Sequence, residues 1–305
     1  MRSKASRAVL QGLLFITPWL LGFVFLNLYP FFASLWFSLC DYSVLSPPVF
    51  LGAGNFVDLW RDPVFWKALR NTLLFAAVSI PLGTAVSIGL AVLLNQPASG
   101  LGFFRTLFFL PCLVPAISLA ILWQWMLNGE VGLINLALKP FLDVFNAFWG
   151  TNLRPPDWLN DPSWALWGLV LTALWGVGQA MVIYLAGLQE IPADLYEAAT
   201  LDGTTAWQRF LHVTLPMLSP VIFFNVIMGL IGALQTFAVP YILTGGGDGP
   251  GRSLLFLATY IYQNAFDFWN MGYASALALI LFLLIVILSL AAVRLGEKRV
   301  HYEGR

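Results

Sequence analysis

Glu197 and Asp202 sit five residues apart in the stretch EAATLDG, beside Ala198, Ala199 and Gly203. The surrounding chain is poor in charge, because only 10% of its 305 residues are Asp, Glu, Lys or Arg. Carboxylates on a segment of small side chains make a surface that another body can approach closely, leaving the acids free to meet solvent or a partner. Other groups able to do chemistry are scattered. His212 and His301, the two histidines, have no cysteine or carboxylate at ligand spacing, so they are expected at the surface and no metal site is expected. No Ser-His-Asp order, HExxH or carboxylate pair at catalytic depth is present, and no catalytic residue, cofactor or chemical step is expected. TGGGDGPG at 244–251 has the glycine content of a phosphate loop, but no Lys-Ser or Lys-Thr follows it. A turn beneath an external protein, or a plain loop, is the reading left.

The elements that must position these groups are set by hydropathy. The mean hydropathy is +0.80, more apolar than a water-soluble core of this length requires. Runs free of Asp, Glu, Lys and Arg occupy about 8–40, 71–95, 106–128, 163–189, 213–241 and 271–293. Each is long enough to cross the hydrocarbon as a helix, which takes roughly 20 residues. The expectation is therefore an all-α polytopic membrane protein with six transmembrane helices, forming one domain over residues 1–305. The first run lacks a small-residue cleavage site and reads as a retained helix rather than a signal peptide. Cys40 and Cys112 fall near opposite ends of their spans, so no disulfide is expected.

Arg2, Lys4, Arg7, Arg105, Arg209, Arg294, Lys298, Arg299 and Arg305 share one side of this topology, and the positive-inside rule places that side, with both termini, in the cytoplasm. The outward connections, 41–70, 129–162 and 242–270, are too short for further domains. Within the last, residues 253–266 read as a short interfacial or half-inserted helix rather than a seventh span. A net charge of zero argues against a nucleic-acid partner, and membrane lipid is the expected surroundings.

EAATLDG lies in the one long cytoplasmic connection, 190–213. Asp194, three residues before Glu197, reads as a capping-box start, and Gly203 as a left-handed stop. Thr205 and Gln208 repeat the capping pattern, and Pro216 is expected to limit the second helix. On the first helix Leu195, Ala198 and Ala199 share one face. A solvated loop helix would show the same pattern.

No span carries an ionisable side chain near its middle, where one costs about 2.5–3.5 kcal/mol on insertion scales. Proton or sodium coupling is therefore disfavoured. Uncharged polar residues do occur at depth: Thr172, Trp175 and Gln179 before the cytoplasmic connection, Asn225, Gln235 and Thr236 after it. They suit a neutral polyol, with amides and hydroxyls meeting its hydroxyls and Trp stacking on its apolar face. Interhelical hydrogen bonding would use the same residues.

Glu197, Ala198, Ala199, Gly203, Leu215 and Pro216 resemble the EAA motif of ABC importer permeases, and GLQEIPADLYEAATLDG from Gly187 is similar to the maltose-type, carbohydrate-uptake branch. TPWLLGFVFLNLYPFFASLWFS at 17–38, RTLFFLPCLVPA at 105–116, WQWMLNGEVGLIN at 123–135 and YIYQNAFDFWNMGYASAL at 260–277 look like that branch too. Thr204 and Val213 depart from its usual Ala and Ile. The resemblance implies a coupling helix, Glu197, Ala198, Ala199, Asp202 and Gly203, that docks on a cytoplasmic ATPase subunit. It implies as partners a second homologous permease, two ABC ATPase subunits and an extracytoplasmic solute-binding protein, with the assembly in the inner membrane. It implies that the helices on either side of the coupling loop line the solute path. A permease for sugar phosphate or amino acid, or a stand-alone secondary carrier, are the alternative readings.

Overall fold

The computed structural model describes the backbone of residues 2–296 and the side chains of residues 11–296. The basic tail Lys298, Arg299 and Arg305, with His301, lies outside that range, as do the side chains of Arg2, Lys4 and Arg7. In chain order the elements begin with α1 (Arg2–Phe23), a π turn (Val24–Leu28), α2 (Tyr29–Phe37), β1 (Cys40–Ser43), β2 (Ser46–Phe50) and α3 (Gly54–Arg61). They continue with α4 (Pro63–Leu94), α5 (Leu101–Phe109), a 3₁₀ turn (Leu110–Leu113), α6 (Ala116–Met126), α7 (Leu133–Trp149), α8 (Ala165–Trp175) and α9 (Gly178–Gln189). Then come α10 (Ala193–Leu201), α11 (Ala206–Arg209), a π turn (Phe210–Thr214), α12 (Leu215–Met217), α13 (Ser219–Leu234) and α14 (Ala238–Leu243). A 3₁₀ turn (Pro250–Arg252), α15 (Leu257–Tyr262), a π turn (Gln263–Asp267) and α16 (Met271–Gly296) complete the described chain.

Among the described residues three helices are long and apolar enough to cross a membrane uninterrupted, Gln11–Phe37, Pro63–Leu94 and Met271–Gly296, and the candidate crossings number six if each of three bent helix pairs is one span. The other three are helix pairs bent by 101° between Leu113 and Ala116, 47° between Trp175 and Gly178, and 67° between Met217 and Ser219. Straight spans over 106–128, 163–189 and 213–241 are therefore corrected to broken ones. Pro115 explains the first break, since the residue before a proline is pushed out of helical geometry, and Val114 is extended at φ −75°, ψ 126°. The second span begins eight residues before its apolar run, at Pro63, because a helix can carry Lys67 and Arg70 on its first turns beyond the hydrocarbon. In the first span Pro30 cannot donate to the helical ladder, and the π turn before it absorbs the missing bond. That span ends at Phe37 rather than near residue 40, and the chain then forms an antiparallel hairpin pairing Cys40 with Phe50 and Ser43 with Ser46. Pro47 and Pro48 are tolerated there because a two-stranded ribbon leaves one edge of each strand unpaired.

The chain forms two compact units. One comprises the residues up to Asp62 and Tyr260–Phe282. In it Gly272 approaches the hairpin so closely that an added Cβ would lie 2.2 Å from the carbonyl oxygen of Cys40. Buried Asn55 donates to the carbonyls of Ser38 (2.9 Å) and Cys40 (2.8 Å), supplying partners that the end of α2 lacks. One carboxylate oxygen of Asp62 accepts from Tyr260 (2.6 Å) and Tyr273 (2.7 Å). Burial, then the neighbouring Asp62, pushes the Tyr260 hydroxyl up to about 12, so it stays a donor.

The second unit holds Pro63–Thr259 and, among the described residues, 283–296. Here α4 packs against α8, α9 and α13. Ile88, Ala91 and Leu94 of α4 meet Met181, Tyr184, Leu185 and Leu188 of α9 around Leu218 in a buried apolar cluster. Ile191 and Phe210, near either end of the connection 190–213, pack on that cluster. In the connection 242–270 the expected helix 253–266 starts at Leu257, four residues late, because Ser253–Phe256 run buried beside α4. Their placement is fixed by Asn71, whose amide donates to the carbonyls of Arg252 (2.7 Å) and Leu255 (3.0 Å).

Candidate functional site

The connection between α9 and α13 folds as two short helical segments around a glycine turn, as its sequence suggests, but its first cap is different. Pro192 precedes α10, and Asp194 lies inside the first turn without a capping hydrogen bond, contrary to the capping-box expectation. Pro192 accounts for this: its fixed φ of −57° already sets the entry angle, and Asp194 contributes only a negative charge near the helix N-terminus. Gly203 closes the helix at φ +72°, and the amide of Thr204 reaches back to the carbonyl of Ala199 (3.2 Å). Thr205 then forms the expected capping box: its hydroxyl accepts from the Gln208 amide (3.3 Å), and its own amide donates to the Gln208 side chain (2.8 Å). Pro216 does not stop the second segment. It sits at the first turn of α12, where its missing N–H has no cost, and the break follows at Leu218.

Tertiary bonds turn this loop into one body. The hydroxyl of Tyr196 on α10 meets that of Thr214 at 3.0 Å, and Arg209 donates to the Thr200 hydroxyl at 3.2 Å. The first bond joins the acidic helix directly to the entrance of α12 and α13. Glu197, Ala198 and Asp202 stay exposed and Ala199 is half-buried. Leu195, expected to share an apolar face with the alanines, is also exposed, as are Leu201 and Trp207, at 89% and 66%. A notch of about 390 Å³ lined by Tyr196, Glu197, Thr200 and Leu201 opens on this surface. Leu195, Leu201 and Trp207 are thus exposed on the same connection as the two carboxylates Glu197 and Asp202. His212 is exposed, and its Nδ1 lies 3.0 Å from the Gln208 carbonyl. Among the described residues no group of His, Cys, Asp and Glu could hold a metal.

The deep polar residues separate into two kinds. Thr172 and Asn225 each donate to a carbonyl one turn back in their own helix, at Gly168 and Val221, and Thr236, just past the end of α13, donates back to Gly232. Trp175, Gln179 and Gln235 instead stand at breaks. Trp175 ends α8 half-exposed, with its ring edge-on to Trp123 at 5.8 Å; Gln179 follows at the start of α9, and Gln235 caps α13. The break between α8 and α9 is lodged by close approach, since a Cβ on Gly178 would lie 2.1 Å from the carbonyl oxygen of Phe108. Ser87 donates to the carbonyl of Val177 (3.3 Å), which also accepts from the Met181 amide (2.9 Å), and the Cys112 thiol donates to that of Gly176 (3.4 Å). Both bonds tie the break to other segments of the same unit, and such partners suit backbone in hydrocarbon surroundings.

Two features escaped the sequence reading. One is the Tyr196–Thr214 tie, which joins residues eighteen apart and has no local signal. The other is a polar cleft of about 460 Å³ lined by Gln124, Asn128, Asp157, Asn160, Thr244 and Gly249, drawn from three separate segments. The glycine stretch beside it forms a turn with Gly245, Gly246, Gly249 and Gly251 at positive φ, and Asp248 pairs with Arg252 at 3.4 Å.

Comparison with known proteins places this geometry in context. Residues 79–302 match the family model for the binding-protein-dependent transport system inner membrane component. The chain is 35% identical, over 99% of its length and 96% of the relative's, to the probable ABC transporter permease protein YesP of Bacillus subtilis. It is 38% identical, over 92% and 91%, to the lactose transport system permease protein LacF of Rhizobium radiobacter. In fold it is similar to a chain in the crystal structure of a bacterial ABC transporter involved in import of the acidic polysaccharide alginate, with a TM-score of 0.80, 22% identity and coverage of 97% and 98%.

Proposed function

This chain belongs to the family of binding-protein-dependent transport system inner membrane components, the permeases of ABC importers, and from that premise we propose that it carries a sugar or related neutral polyhydroxylated solute inward, driven by ATP hydrolysed on separate subunits. In this reading residues 1–305 form one transmembrane domain in the inner membrane with both termini cytoplasmic. It pairs with a second homologous permease, two cytoplasmic ATPase subunits and an extracytoplasmic solute-binding protein.

The observation that carries the proposal is the exposed helix α10, presenting Glu197, Ala198 and Asp202 and tied through Tyr196 to the entrance of α13. A short helix seated in a groove of an ATPase subunit would move with it. Because α10 is fixed to α13 and packed through Ile191 and Phe210 on the α4–α9 cluster, its displacement rocks the bundle instead of bending a loop. The solute path runs past the breaks that carry Trp175, Gln179 and Gln235, with Thr172, Asn225 and Thr236 behind them. Carbohydrate as cargo is supported by those uncharged amides and rings and by the similarity to a lactose permease. The assembled complex in proteoliposomes tests this: ATP hydrolysis should rise when solute-loaded binding protein is added and uptake should require ATP. A rate indifferent to loaded binding protein, or uptake driven by an ion gradient without ATP, would overturn it.

A further inference from the structure

Helix α7, in the connection between α6 and α8, is built inside-out. Its apolar side chains recur at helical spacing through Leu133, Leu136, Phe141, Val144 and Phe148, and these stand 56–81% exposed. The opposite side holds the helix to its own unit. Asn135, buried there, donates to the carbonyls of Gly129 and Pro156 (both 2.9 Å) and accepts from the Trp158 indole (2.8 Å). Asn146, about three turns further along and half-buried, binds both the amide and the carbonyl of Leu153 (both 2.9 Å). Lys139 and Asp143, four residues apart, lie along one edge of the apolar stripe. A helix on a water-soluble surface would turn the stripe inward and the asparagines outward.

The stripe is continuous with the side of a membrane crossing. A cleft of about 480 Å³ lined by Leu122, Trp125, Met126, Asn128, Val131 and Leu133 joins exposed Leu122 and Trp125 of α6 to the first residue of α7. Only six residues, 127–132, separate the end of α6 from the start of the stripe, so α7 begins at the bilayer surface. A binding protein that leaves after each delivery would return this aromatic and aliphatic stripe to water in every cycle. Bilayer lipid is present throughout.

We propose that α7 is an in-plane membrane anchor, with its stripe among phospholipid acyl chains, Lys139 and Asp143 at headgroup level, and the cleft beside Trp125 occupied by an acyl chain. The permease reading is not needed for this; only residence in a bilayer is. The test uses the full complex in phosphatidylethanolamine and phosphatidylglycerol vesicles, in a Cys40→Ala, Cys112→Ala background that retains uptake. Nitroxide is attached at Val131→Cys, Lys139→Cys, Asp143→Cys, Val144→Cys or Phe148→Cys, one at a time. Electron spin echo modulation is read with chain-deuterated phospholipid and, separately, with D₂O. Labels at 131, 144 and 148 should show modulation from deuterated chains and little from D₂O, and those at 139 and 143 the reverse. Strong D₂O modulation at 144 and 148 would mean a water-exposed face, and modulation from neither source would mean cover by a protein subunit. Either result overturns the proposal. Chain modulation at 144 and 148 but not at 131 would remove the acyl chain from the cleft.

Discussion

Glu197 is exposed and forms no hydrogen bond among the described residues, so its charge is not needed to fold α10. Reversing it in Glu197→Lys should leave the protein inserted and its thermal midpoint unchanged while lowering ATP-driven uptake by about tenfold or more, within the usual range of coupling energies. Gly203→Asp acts differently: at φ +72° an L-residue costs roughly 1–2 kcal/mol, and the turn that aims α10 would distort. Uptake should fall there too, with basal ATP hydrolysis retained. Normal uptake in both variants would remove α10 from the coupling path. These residues were legible because a glycine stop and a Thr-x-x-Gln box are local signals. Asp194 was misread because Pro192, two positions earlier, took over the entry geometry.

At the scale of elements, hydropathy located the apolar runs, and the three bends were invisible to it, apart from the hint in Pro115. The bend between Trp175 and Gly178 has tertiary contacts instead. Gly178 admits the backbone of Phe108, and Ser87 and Cys112 donate to the carbonyls of Val177 and Gly176, none of which is adjacent in sequence. Gly178→Ala should force α9 away from the end of α5. Overpacking of this kind costs about 1–3 kcal/mol, so the purified protein should melt at a lower temperature. An unchanged midpoint would mean that the two backbones are free to part. The hairpin at Cys40–Phe50 was missed for a related reason, since two prolines and five exposed residues in β2 give no strand pattern.

For the whole molecule, the distribution of Lys and Arg argues for an orientation that can be measured. With Cys40 and Cys112 replaced, Leu201→Cys should react with a membrane-impermeant maleimide only after cells are permeabilised, and Asn160→Cys should react in intact cells. The opposite pattern would invert the topology and take α10 away from any cytosolic motor. Class and architecture were readable from composition and run length, because a bilayer imposes one simple demand on every crossing. The cleft lined by Gln124, Asp157 and Thr244 was not, because it depends on how three distant segments converge.

The tie between Tyr196 and Thr214 has a further consequence. A stiff strut transmits load in both directions, and linkage makes the effect on binding reciprocal. If ATP at the motor can alter how the bent helices hold a sugar, then a sugar resting at Trp175 and Gln179 must alter how tightly the motor holds ATP. Arrival of cargo would thus be announced at the far side of the membrane before any fuel is consumed.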